Sequence, residues 1–102
     1  MRSMIVAGER FVEVVAALGP TRAVETLEEA DAVLAAFWPD AAIVCLPWTD
    51  ALASWVDRNL LRYGIRTVVI GTPGRRPLKG VVFVTEGASA TEIAAALRPR
   101  AA

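Results

Sequence analysis

The chain contains no histidine, a single cysteine and a single lysine among its 102 residues. Without histidine, the usual zinc-ligand sets and imidazole-based proton relays are unavailable. One cysteine cannot close an internal disulfide. Long apolar runs are also missing: Arg, Glu, Asp, Pro or Gly interrupts every stretch well before the roughly 20 residues that a membrane helix needs. The N-terminal segment Met1–Arg10 carries an early charge, and its apolar part is too short for the hydrophobic region of a secretion signal. The expectation is a cytosolic protein without membrane contact.

What is present is largely apolar, with 55% hydrophobic residues. At this length that suits one domain, residues 1–102, around one core. Net charge is zero, yet residues 1–50 hold three basic and eight acidic side chains while residues 51–102 hold eight basic and three acidic. In a small domain whose halves pack together, such asymmetry gives complementary surfaces or dimer contacts as readily as a binding face, and nucleic acid is not expected. The basic residues are Arg apart from Lys79, a preference given no functional weight.

The apolar pattern alternates between strand and helix. Met4–Ala7 reads as a strand, and Phe11, Val14, Val15 and Leu18 recur at helical spacing before Gly19-Pro20. Ala23–Leu27 is a weak alternating strand, followed by a helix with Ala30, Val33, Leu34 and Phe37 on its apolar face, ending before Pro39. Ala41–Leu46 lacks alternation, as a strand covered on both sides does, and Thr49 or Asp50 caps a helix running to about Tyr63 and stopped by Gly64. Thr67–Ile70 and Val81–Val84 are further strands, and Ser89 or Thr91 starts a last helix with Ile93, Ala94 and Leu97 inward. This predicts an α/β fold with a flavodoxin-like, doubly wound, five-stranded parallel sheet in the order 2-1-3-4-5.

One connection is short. Gly71–Gly80 has two prolines and three glycines in ten residues, so the fourth helix is expected to be missing or reduced to one turn. An extended crossover to a parallel fifth strand is favoured over an antiparallel hairpin. One face of the fourth and fifth strands is then under-covered, making Val68, Ile70, Val82 and Val84 candidate interface residues.

The stretch Thr26–Leu34, then Pro39–Cys45 with Pro47 close behind, resembles the second helix and third strand of bacterial response-regulator receiver domains. Val81–Glu86 followed by Ala90–Leu97 is similar to their fifth strand and last helix. The resemblance spans most of the chain as a pattern of apolar runs and helix starts. It implies that the family's phosphoacceptor aspartate falls on Cys45 and its lysine on Glu86. Gly8 and Glu9 stand where the family has its magnesium-binding acidic pair, and Gly71 stands at the switch hydroxyl, with Thr72 one residue late. Phosphotransfer to aspartate needs a carboxylate nucleophile, an oxygen-ligated divalent cation and a positive charge on the phosphoryl oxygens. Cys45, Glu9 and Glu86 supply none of these, so the resemblance implies a degenerate receiver. The chain also looks like the small central-stalk protein of rotary V/A-type ATPases, a second family with this fold, in its short connection after the fourth strand. The clear fifth strand and terminal helix fit a receiver relative better.

Individual residues carry weaker signals. Cys45 at a strand's C-terminal end is either a nucleophile or redox sensor, or a small buried apolar residue, and the bland role is the commoner one. It lacks the arginine of a C-x5-R phosphatase loop. Gly71, Thr72, Gly74, Arg75 and Arg76 offer backbone N–H and guanidinium groups to an anion, though Gly/Pro clusters are mostly turns and the P-loop spacing is absent. Trp48, in a Leu-Pro-Trp loop, is the tryptophan expected at the surface, whereas Trp38 and Trp55 fall on apolar faces. Arg58, Arg62 and Arg66 are spaced by four and suggest an exposed ridge or a solvated helix face.

The function expected is a non-enzymatic, receiver-like regulatory module acting by protein contact, as a homodimer or with another protein, without phosphorylation and without a cofactor or metal. The alternative is a small-ligand or anion-binding domain using the strand-end crevice around Gly8, Glu9, Cys45, Trp48, Gly71, Thr72, Gly74, Arg75 and Arg76. A thiol enzyme at Cys45 is a third reading. The tail Arg98–Ala102 suggests a free-standing chain.

Overall fold

A computed structural model describes residues 1–71 and 78–97. The strands are β1 (Ser3–Val6), β2 (Thr21–Val24), β3 (Ala41–Val44), β4 (Arg66–Ile70) and β5 (Val81–Val84). The helices are α1 (Val12–Ala16), α2 (Leu27–Phe37), α3 (Asp50–Asn59) and α4 (Ala90–Leu97), with 3-10 turns at Glu9–Phe11 and Leu61–Tyr63. All strand pairs are parallel and the order is β2-β1-β3-β4-β5, so the flavodoxin-like topology is the one observed. The parallel β4–β5 pairing establishes a crossover where a hairpin was the other option. Of the connecting segment, Gly71 and Leu78–Gly80 contain no helix; residues 72–77 lie outside the described residues.

Local chemistry sets the helix starts. Thr26 caps α2, its Oγ1 accepting from the Glu29 N–H at 3.2 Å and its hydroxyl facing the Glu29 carboxylate at 3.3 Å. This Thr-x-x-Glu pair ends β2 at Val24 and replaces the strand expected through Leu27, because a capped helix turn satisfies the backbone there. Thr49 caps α3 through the Leu52 N–H (3.1 Å) and Ser89 caps α4 through the Glu92 N–H (3.2 Å). The helix expected to reach Tyr63 stops at Asn59 and tightens into a 3-10 turn, which Gly64 ends at φ 71°.

The sheet separates two apolar layers. On one side, the Glu9–Phe11 turn, α1 and α4 bring Phe11, Val15, Ile93 and Leu97 onto Ile5, Ile43, Val68 and Ile70. On the other, α2 and α3 bring Ala30, Leu52, Trp55, Val56 and Leu60 onto Met4, Val6, Val44 and Val69. β1 and β3 are buried along their whole length, as strands with helices on both faces must be.

Side-chain parity puts the expected interface residues on the α1/α4 side of the sheet. Val68 and Ile70 are buried beneath the α1/α4 layer, and Val82 and Val84, half-buried, pack into the same layer. On the opposite side, Val81 and Phe83 of β5 point with Val69 of β4 into the α2/α3 layer. Alternation puts neighbouring residues on opposite faces, and all four side chains of β5 are half-buried. Trp48 covers part of that face, its ring meeting Phe83 edge-on with centroids 5.1 Å apart and an interplanar angle of 88°. The tryptophan expected to stand exposed is therefore half-buried as a side-chain lid on the sheet.

Candidate functional site

The switch between β1 and β3 lies at the C-terminal ends of the strands, where crevices open in this topology. Here β1 and β3 stay paired to their tips. The Cys45 N–H donates to Val6 O (2.9 Å), which extends the β1–β3 pairing to the tip. Ala7 turns the chain at φ 55°, and buried Gly8 then lies directly against Cys45. A Cβ on Gly8 would fall 2.7 Å from Cys45 Sγ and 2.8 Å from Ile5 Cγ2, so glycine is required by close approach.

Burial pushes the Cys45 thiol up to about 11, with Arg10 drawing it down and Glu86 raising it further. At neutral pH the group is a thiol, a weak nucleophile and a poor metal ligand. Arg10, which also lies over the Phe11 ring at 4.8 Å, is the positive charge that acts on Cys45; sequence reasoning did not single it out. Its signal was only its place two residues after Gly8.

The structure brings Gly8 and Cys45 into contact and leaves Glu9 exposed beside them. Trp48 faces β5, and Gly71 ends β4, its N–H donating to Val84 O at 2.8 Å. Thr72, Gly74, Arg75 and Arg76 lie outside the described residues. Among the described residues no group of three or more His, Cys, Asp or Glu side chains is placed to hold a metal ion.

Open concave surface lies elsewhere. One groove of about 700 Å³ runs below the N-terminal ends of β3, β4 and β5, past Asp40, Arg66 and Gly80. A second, of about 760 Å³, lies between α2 and α3 and is continuous with the first through Pro39, Tyr63 and Ile65, which line both. Trp55 ties the two helices together, its indole N–H donating to Asp31 Oδ1 at 3.0 Å. Trp38, expected to pack inward, is instead 71% exposed on the groove, and Tyr63 is 68% exposed. Trp38 also serves as the α2 C-cap at φ 52°, ψ 65°, a left-handed conformation that costs a side-chain-bearing residue about 1–2 kcal/mol. Arg2 supports this end of the helix, its guanidinium donating to Phe37 O at 3.1 Å. Arg58 and Arg62 are exposed, but Arg66 belongs to β4 and is half-buried, so the three arginines do not share one helical ridge.

No family model matches the chain, and no curated protein matches it. Among solved structures it is similar to a crystal structure described as a "putative lipoprotein from Peptoclostridium difficile 630 (fragment)", with a TM-score of 0.57 and 16% identity over 95% of this chain and 98% of that one. At that identity the likeness shows the fold alone. Among the described residues no helix is long and apolar enough to cross a membrane.

Proposed function

We propose that this chain is a receiver-like regulatory module that works by protein contact and takes no phosphoryl group on aspartate. The observation that carries the reading is the tip of β3, where a neutral thiol packed against Gly8 occupies the acceptor position. A thiol held protonated by burial does not attack an acyl phosphate, and Glu86 at the position of the family's lysine repels phosphoryl oxygens. The scaffold is kept and the charge chemistry of the switch is replaced by packing. What remains is surface, and β5 supplies an edge strand with one side of its backbone unpaired in the sheet and four half-buried side chains. Contact through this edge and the Val81/Phe83 face is the form of homodimer that the reading favours.

The test is a pair of measurements on the intact protein. Amide spectra recorded with Mg²⁺ and beryllofluoride are expected to show no shifts at Gly8, Cys45 or Glu86; saturable shifts there contradict the loss of phosphoryl chemistry. Sedimentation equilibrium is expected to show a mass that rises with concentration and falls back in a Phe83→Glu variant. A monomer throughout contradicts the homodimer.

A further inference from the structure

The charged side chains are sorted along the strand direction. Beyond the C-terminal ends of the strands, Glu9 follows β1, Glu25 follows β2 and Glu86 follows β5. At the same end Glu28 and Glu29 begin α2, Asp50 begins α3 and Glu92 lies in the first turn of α4. All seven are exposed, and among the described residues Arg10 is the cation that joins them. At the N-terminal ends, Arg2 precedes β1, Lys79 precedes β5, and Arg22 and Arg66 lie in the first two residues of β2 and β4. Arg58 and Arg62 close α3 and its 3-10 turn beside them. Two acids, Asp40 and Asp57, share this end, and Asp40 already accepts from the Arg2 backbone N–H at 3.0 Å. Among the described residues the side chains leave a net −6 at one end and +4 at the other.

Helix ends account for part of this sorting, because a helix N-terminus carries about half a positive charge and draws acids, as a C-terminus draws bases. The four helix N-termini at the acidic end offset about 2 of its 6 charges. Glu25, Glu86, Arg2, Arg22, Arg66 and Lys79 lie outside every helix. No acidic side chain forms an ion pair with a basic one among the described residues, so neither set is neutralised within the fold. The ends also match in size. With extents of 32 × 30 × 29 Å, either end presents a face of roughly 700 Å², close to the ~800 Å² that each partner gives to a standard interface. A polyanion would satisfy the basic end alone, whereas a second copy of the chain satisfies both.

We infer that the chain associates head to tail with a second copy of itself, the basic end around Arg62, Arg66 and Lys79 docking on the acidic end around Glu25, Glu28 and Glu86. Such a contact is heterologous and repeats unless its rotation closes a ring. It is separate from the β5 edge, and salt distinguishes the two, since apolar strand pairing survives an ionic strength that screens exposed charges. The test is sedimentation equilibrium of the intact protein in about 20 mM and about 500 mM NaCl, where the screening length falls from roughly 20 Å to roughly 4 Å. Two exposed charge reversals accompany it, Glu25→Lys with Glu86→Lys at one end and Arg62→Glu with Lys79→Glu at the other. Association of the parent is expected to weaken at least tenfold in high salt, and each reversed protein to associate at least fivefold more weakly than the parent in low salt. An equimolar mixture of the two reversed proteins keeps one intact end of each sign, so it should regain a single contact and stop there. Amide shifts on dilution of the parent should appear at both ends together. Association that is indifferent to salt, reversed proteins that behave as the parent, a mixture no stronger than its components, or shifts at the basic end alone would each overturn the inference.

Discussion

The two ends of this sheet have been finished in opposite ways. At the C-terminal tips of β1 and β3, the missing side chain on Gly8 lets the Cys45 thiol pack against it. Beside the N-terminal ends of β3 and β4, large side chains that the core does not use, Trp38 and Tyr63, stand out over open grooves. The position where this fold commonly binds ligands thus carries a close Gly8–Cys45 contact, and the flank between α2 and α3 carries an open groove. Fold alone did not determine which surface was available; the volumes of a few side chains did.

The sharpest way to break this contrast is to crowd the tight contact at the β3 tip. Gly8→Ala places a methyl group within overlap distance of Cys45 Sγ and Ile5 Cγ2, and is expected to destabilise by about 1–3 kcal/mol in urea unfolding. Adding Cys45→Ala should recover part of that loss, leaving the Ile5 contribution. A Gly8→Ala protein as stable as the parent would mean that the tip has room, and the contrast would fail. A smaller effect belongs to the open flank. Trp55→Phe keeps the buried ring but loses the indole bond to Asp31, and about 1 kcal/mol of stability should go with it. Removing Asp31 as well should add little, because the two changes delete the same bond.

Much of the topology was legible because β1 and β3 read as continuous apolar runs and α3 and α4 begin at the caps Thr49 and Ser89. Parity was harder. That Val81 and Phe83 join the α2/α3 layer while Val82 and Val84 join the α1/α4 layer depends on which side α4 docks, and a one-residue offset reverses the answer. Trp38 sits at helical spacing with an apolar stripe, yet Pro39 follows it, and the residue before proline is displaced from helical geometry. That Trp-Pro pair was the available signal for a tryptophan turned outward. Trp48 misled for the converse reason, since a Leu-Pro-Trp loop looks exposed until Phe83 is brought beneath it. The influence of Arg10 on Cys45 arises only through the turn at Ala7–Gly8, which pattern does not encode.

The central claim is that the β3 tip holds a neutral thiol packed against Gly8, and the alkylation rate of Cys45 tests it most directly. Iodoacetamide incorporation would be followed by mass spectrometry between pH 7.5 and 9.5, in the folded protein and in urea. With the thiol pushed to about 11 in the fold against an ordinary value of 9.0, the folded rate should still rise close to tenfold per pH unit at 9.5. It should also stay at least tenfold below the unfolded rate at pH 9. A folded rate that levels off below pH 9, or one that matches the unfolded chain, would show an accessible and ionised cysteine and contradict the account.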